Sequence, residues 1–331
     1  MVIENFNAND LLPPAYVGLH PQLVAYDVTR SNGVNVGLNA GRTRDDDLIS
    51  QTPGPGQIEI YQWYAGDVSE NTRGRLTATP IEFGAVNLLP ADPIIHPSKG
   101  LVGALIIEPQ GASWTTDPGT RTAATVTKPN GDTFREFVVV SQTGVNLRDA
   151  QGRPICPVEG GTPCKGTEDP EDSGNKAVNY RAEPLWFRMG FAPGSDLEHT
   201  RTLDFTDVLS NAITGGQDPQ TPVFTAQAGQ EVRFRVLNGG GPARNQVFQV
   251  HGHGWQRMPY RTTGAVASNE IGDNPSSPVY GAQAGGGPGN HFDIVLDGAG
   301  GHFSRPGDYL WREQSSLAFD GGIWGILRVT E

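Results

Sequence analysis

Charge, sulfur and long apolar runs are all scarce in this chain. Of 331 residues, 18% are charged, two are cysteine and three are methionine. No stretch approaches the roughly 18 to 20 continuous apolar residues of a membrane-crossing helix, which excludes a helical span. The opening MVIENFNAND has neither the basic nor the apolar segment of an export signal. Positive charge is the scarcer sign. With 24 Lys and Arg against 36 Asp and Glu, the net charge is −12, and a surface of that sign repels phosphate backbones and anionic lipids. Nucleic acid and membrane surfaces are therefore excluded as partners. Helix-compatible sequence is lacking too, because 44 Gly and 26 Pro interrupt helix interiors. The 36% of hydrophobic residues still suffices for a core, and the length suits two domains.

What is present is strand signal. Short runs rich in Val, Ile, Tyr, Phe and Thr recur between Gly, Pro, Asn and Asp clusters, among them QLVAYDV, GQIEIYQWYA, GLVGALIIEP, REFVVVSQ, EVRFRVLN, NQVFQVHGH, HFDIVLD and GIWGILRVTE. Such spacing predicts an all-β sandwich or barrel. Pro129, Asn130, Gly131 and Asp132 predict a hairpin turn. In EVRFRVLN, Val232, Phe234 and Val236 alternate with Arg233 and Arg235, the pattern of a half-buried strand. The single helix expected is a short one in FTDVLSNAI, capped by Thr206 or Asp207. Trp255, Trp311 and Trp324 are expected in the core or at a domain interface.

GLVGALIIEP and GGIWGILRVTE look like one element used twice, which suggests two copies of one fold. Between them lies an acidic stretch without strand signal. The expected organisation is a first domain over residues 1–153, a linker over 154–175 and a second domain over 176–331. Cys156 and Cys164 sit in that linker, in CPVEGGTPC, where they form either a local disulfide in an oxidising compartment or two free surface thiols. The linker's Asp169, Glu171 and Asp172 read as a solvated acidic segment or as calcium ligands.

The two repeated elements resemble the closing strand of cupredoxin domains in multicopper oxidases, where a ligand-bearing loop leads into a G-L/M-x-G-x-L/I strand. VFQVHGHGW resembles that family's H-P-x-H-L-H-G-H strand, PGNHFDIVL its P-G-x-x-x-D-V strand, and GDYLWREQSSLAFDGGIWGILRV its C-terminal ligand motif. GLHPQLVAYDVTRSNGVNVGLN, IYQWYAG and GLVGALIIEPQGASW are most similar to the last two domains of large bacterial multicopper oxidases of the manganese-oxidising type. The resemblance covers nearly the whole chain. It implies an all-β fold of two tandem cupredoxin-like Greek-key β-sandwiches, an oxidoreductase relationship, copper as the family's cofactor, and an extracellular or periplasmic location.

The ligands do not follow the frame. A blue-copper centre uses a Cys thiolate, two imidazoles and a weak axial Met. Setting Gly322 on the family's glycine puts Glu313 at the Cys position, Ala318 at the second His and Ile323 at the Met. Arg312 and Gln314 fall at two trinuclear-site histidines. Gln246 falls at the first blue-copper His and Gln249 at a further trinuclear one, and His251 alone keeps a ligand type. In the first half the H-S-H pair would fall near Pro90 and Asp92, His20 survives from the earlier H-x-H, and His96 is out of register. Guanidinium and sec-butyl groups cannot ligate copper. Two metal readings stay open: His251 and His253, taken as alternate residues on one strand, grip a residual ion with His291 or His302, or they are structural imidazoles satisfied by backbone.

The stretch matched by VIENFNAND is preceded in the family by an opening strand. A first sandwich without it exposes an edge. The expected partner is a complementary copper-bearing oxidase chain that covers this edge, or a homo-oligomer.

Overall fold

The computed structural model describes residues 1–6, 15–39, 50–145, 176–190, 204–241, 246–263, 266–314 and 321–331. The linker with Cys156 and Cys164, its acidic residues, and Ala318 lie outside these residues. Up to residue 145 the strands are β1 (Val2–Glu4), β2 (Leu19–Pro21), β3 (Ile58–Ile60), β4 (Gly66–Glu70), β5 (Leu76–Pro80), β6 (Gly84–Pro90), β7 (Gly103–Ile107), β8 (Ser113–Thr116), β9 (Ala123–Thr127) and β10 (Thr133–Thr143). Beyond residue 175 come β11 (Lys176–Val178), β12 (Val223–Gln227), β13 (Val232–Gly240), β14 (Val247–Val250), β15 (Trp255–Gln256) and β16 (Tyr260–Thr263). They are followed by β17 (Val266–Ile271), β18 (Val279–Tyr280), β19 (Ala282–Ala284), β20 (His291–Leu296), β21 (Gly307–Glu313) and β22 (Trp324–Thr330). Among the described residues, helix is confined to single turns, α1 (Ile95–Ser98) and α2 (Leu185–Arg188), and two 3₁₀ turns.

The expected helix in FTDVLSNAI is one of those 3₁₀ turns, Asn211–Thr214. Its cap is Ser210, whose hydroxyl accepts from the Ala212 N–H. Thr206 is unavailable as a cap because its hydroxyl and N–H both donate to Asp204 Oδ1. The hairpin at Pro129–Asp132 forms as its turn residues dictate. Thr127 faces Thr133, Lys128 N–H donates to the Asp132 carbonyl, and Gly131 supplies the positive φ.

An eight-stranded sheet runs in the order β18-β15-β20-β13-β10-β9-β8, with β11 also paired to β10. A five-stranded sheet, β12-β22-β21-β14-β19, packs on one of its faces. Phe137, Val139, Phe224, Phe234, Phe248, Trp311 and Leu327 fill the space between these two layers. The aromatic rings meet at centroid distances from 4.6 Å for Phe137–Phe224 to 6.2 Å for Phe248–Trp311. As expected, Trp255, Trp311 and Trp324 are all buried.

β10 and β13 pair in parallel from Arg135↔Val232 to Gln142↔Gly240, so this sheet draws strands from both sides of residues 154–175. β8, β9 and β10, placed in the first unit by the expected division, pack as part of the later sandwich. Phe137 and Val139 of β10 share their core cluster with Phe224, Phe234, Phe248 and Trp311 of the later strands.

The opposite face of the eight-stranded sheet is covered by the three-stranded sheet β2-β6-β7. Ala85 and Val102 from that side meet Val138, Val140 and Leu237. This covering layer corrects the expectation of a half-buried β13. The side chains of Arg233 and Arg235 are 0% exposed. The alternation correctly separated two faces, but both are interior.

Candidate functional site

β14 and β21 lie side by side, with Phe248 opposite Glu313 and Val250 opposite Trp311. Alternate residues therefore point into the sandwich or away from it. Gln246, Phe248, Trp311, Glu313 and Ile323 are all buried. This is the end of the molecule where the family resemblance places blue copper.

The residues there have different chemistry. Gln246 Oε1 accepts from Asn238 Nδ2 at 2.9 Å and from Ser141 Oγ at 3.2 Å, which fixes the amide across the two sheets. Ile323 is fully buried in the apolar core. Glu313 is 1% exposed, and burial pushes its carboxyl up to about 8. Its Oε2 has no hydrogen-bond partner. A carboxylic acid, a bonded amide and a sec-butyl group offer no soft anionic sulfur and no imidazole pair, so this donor set does not fit a blue-copper centre.

His251 and His253 are not ligand neighbours on one strand. β14 ends at Val250, and the chain turns through His251 and Gly252. His253 is committed to backbone at both ring nitrogens. Nδ1 lies 2.8 Å from the His251 carbonyl, and Nε2 accepts from the N–H groups of Gly300 at 3.1 Å and Gly301 at 3.0 Å. Those two donors fix the proton on Nδ1 and hold the ring neutral, in accord with the downward push that burial exerts on its pKa. Gly300 and Gly301 reach this position with φ of 91° and 66°, a backbone that side-chain-bearing residues rarely adopt.

His251 differs. Its Nε2 is buried without a hydrogen-bond partner, and burial followed by the nearby Arg312 charge lowers its pKa. The candidate third ligands lie apart from any cluster: His302 is exposed on a 3₁₀ turn and packs on Phe303, while His291 begins β20. Among the described residues, no group of three or more His, Cys, Asp or Glu is arranged to hold a metal ion.

In the first half, His20 Nδ1 lies 2.6 Å from Asn32 Oδ1 and 3.4 Å from the Tyr26 hydroxyl. Asp92 Oδ1 accepts from the N–H groups of Ile94 and Ile95 as the chain enters α1. The Ile95 bond is the main reason its carboxyl sits below the usual value. His96 is buried within α1.

The sequence reading missed the most heavily charged interior site. Glu82, before β6, and Glu108, after β7, close on Arg233 and Arg235 of β13, together with Glu136 of β10 and Asp293 of β20. A signal for it existed. IEFGAV, ALIIEP, REFVVV and HFDIVL each carry one carboxylate inside an apolar run, and EVRFRV carries the two cations that answer them.

No family model matches the chain, and no curated protein matches it. Similar solved structures are copper proteins. A multicopper oxidase is 16% identical over 95% of this chain and 70% of its own, with a TM-score of 0.47. A blue copper oxidase from Nitrosomonas europaea is 14% identical over 99% and 72%, with a TM-score of 0.47. A copper nitrite reductase from Nitrosomonas europaea is 14% identical over 99% and 77%, with a TM-score of 0.45. At these identities the likeness concerns the path of the chain alone. No helix among the described residues is long and apolar enough to cross a membrane. The fold is all-β, with a five-stranded and a three-stranded sheet packed on opposite faces of an eight-stranded one.

Proposed function

We propose that this chain is the C-terminal portion or a subunit of a multicopper-oxidase-like, metal-oxidising assembly. In that assembly it serves as scaffold and interface, and the copper redox centres lie mainly on a complementary chain. The proposed location is extracellular or periplasmic, where a Cys156–Cys164 disulfide would persist. The observation that carries the reading is Glu313. It stands at the thiolate position of a frame that keeps the surrounding strands, and with Gln246 and Ile323 it replaces a ligand set with a carboxyl, a bonded amide and a hydrocarbon. A partner is further supported by the β1–β3 ribbon, which exposes Val2, Ile58 and Ile60 together on one side.

The test is purification under native conditions, followed by copper analysis and mass spectrometry of whatever accompanies the chain. The expected result is a companion chain bearing H-x-H and H-C-H motifs and most of the copper. A chain that purifies alone with full oxidase activity would overturn the reading in favour of an autonomous enzyme with a remodelled histidine site. That alternative requires His253 Nε2 to release the N–H groups of Gly300 and Gly301 before it could bind metal. Purification with neither copper nor a companion would instead favour a structural role in a surface layer or filament.

A further inference from the structure

Arg235 is enclosed by carboxylates. Its Nε donates to Glu136 Oε2 at 2.9 Å, its Nη1 to Asp293 Oδ1 at 3.0 Å, and its Nη2 to both oxygens of Glu108 at 3.1 and 3.2 Å. Glu82 Oε1 lies 3.8 Å from Nη2. Arg233 donates to Glu82 at 2.6 Å and to Glu231 at 2.8 Å. The Nε–Nη2 edge of a guanidinium ordinarily grips both oxygens of one carboxylate. Here that edge is divided between Glu108 and Glu136, so two carboxyl groups are pressed against each other. Their side chains are each only 9% exposed. Like charges so close cannot both stay ionised.

The two glutamates come from different layers. Glu136 is on β10 of the eight-stranded sheet, whereas Glu108 directly follows β7 of the covering sheet. The charged and titratable groups facing them are Arg233 and Arg235 from β13, Asp293 from β20, Glu82 ahead of β6, and Tyr260 from β16. Glu231 lies behind Arg233 and is itself paired with Lys128 at 3.3 Å. Four buried carboxyls thus answer two guanidinium groups, an excess that one shared proton reduces.

We propose that this packed face is a proton-gated joint, in which Glu108 and Glu136 hold one proton between them on Arg235 and its loss loosens the β6–β7 layer from β13 and β20. The electrostatics agree with the geometry. Burial, against the pull of Arg235, pushes the Glu108 carboxyl up to about 9. Burial also acts upward on Glu136, but Arg235 and the hydrogen bond with Glu108 together hold it below the usual value. The proton therefore resides on Glu108. Because the folded joint keeps a proton that the open one releases, its stability falls as pH rises from the ordinary glutamate value to about 9.

Two backbone amides report on the joint. Ala85 N–H donates to Asp293 Oδ1, and Ile271 N–H donates to Glu82 Oε2. Hydrogen exchange of these amides in the full chain, corrected for the intrinsic base-catalysed rate, is the test. Opening is expected to rise about tenfold per pH unit below the joint's pKa, the slope of one released proton. In Glu108→Gln, which is neutral at every pH, that slope should vanish. It should persist in Glu313→Gln, which removes a raised carboxyl outside the joint. An equal slope in the wild type and Glu108→Gln would overturn the proposal, as would a slope abolished by Glu313→Gln. Should Glu108→Gln fail to fold, infrared spectroscopy of Glu313→Gln near neutral pH decides instead. A remaining protonated-carboxyl band supports the joint, and its absence refutes it.

Discussion

Two interior polar regions of this molecule follow opposite rules. At the joint between the β6–β7 layer and the eight-stranded sheet, the charged side chains that reach the interior have ion-pair or hydrogen-bond partners, with Arg235 alone shared among three close carboxyls. Around β14 and β21, Glu313 Oε2, Trp311 Nε1 and His251 Nε2 are buried with no hydrogen-bond partner. A buried unpaired polar group costs about 1–3 kcal/mol, so the second region is the less well satisfied of the two. The difference separates parts that hold the fold together from the parts that the family resemblance sets at copper-ligand positions. The buried charges are paired where the two layers meet, whereas a buried carboxyl oxygen, an indole N–H and an imidazole nitrogen are left without partners around β14 and β21.

The comparison breaks most decisively at Arg235. Arg235→Met leaves Glu108, Glu136 and Asp293 buried without their common cation. Removing one side of a buried pair costs about 3–5 kcal/mol. Chemical denaturation should show a loss of this size. A change below about 1 kcal/mol, the range of exposed ion pairs, would mean that the joint is far wetter than its geometry indicates.

His253→Ala comes next. It strands the N–H groups of Gly300 and Gly301 and the His251 carbonyl, for a loss of about 1–3 kcal/mol. The same variant separates a structural imidazole from a ligand, because copper retention of the purified chain should be unchanged. A clear drop in copper would restore His253 as a metal ligand.

Glu313→Gln sharpens the other side of the comparison. Glu313 is held protonated by burial, with its carboxyl raised to about 8. Its folded form keeps a proton that the unfolded chain loses above the ordinary glutamate value. Its contribution therefore becomes less favourable as pH rises from there to about 8. The neutral amide removes this dependence, so Glu313→Gln should equal the wild type in acid and exceed it in alkali. A variant weaker than the wild type at alkaline pH would show that the ionised carboxylate has a partner. The smallest effect is expected at the surface. Arg328 bridges Asp308 and Asp218 at 2.8 Å each, but all three are substantially exposed. Arg328→Ala should cost less than about 1 kcal/mol, and added salt should shrink the difference further.

Much of the fold was legible because it is encoded locally. The turn at Pro129–Asp132, the repeated closing elements that became β7 and β22, and the burial of Trp255, Trp311 and Trp324 all follow from short-range chemistry. Motif spacing sets Glu313, Gln246 and Ile323 where the family resemblance implies copper ligands, and the structure shows all three buried. What alternation could not supply was the identity of whatever covers each face. Arg233 and Arg235 read as solvent-facing because nothing within EVRFRVLN reveals that Glu82 and Glu108, more than 120 positions away, will cover them. The placement of His251 and His253 on one strand failed for a related reason. Strict alternation assumes that the strand continues, whereas β14 stops at Val250 and the next residues turn. The placement of β8–β10 escaped because parallel pairing of β10 with β13 is a long-range contact that the intervening linker conceals.

The most direct test of the central claim is copper loading of the purified chain under aerobic, non-reducing conditions, read by metal analysis and visible absorption. A thiolate on Cu(II) in a trigonal site produces an intense charge-transfer band. With Glu313, Gln246 and Ile323 at the positions the proposed frame assigns to ligands, the expected result is no such band and copper well below one ion per chain after gel filtration. An intense blue species holding one tightly bound copper per chain would contradict the account. It would require a cysteine ligand that the frame around β14 and β21 does not supply.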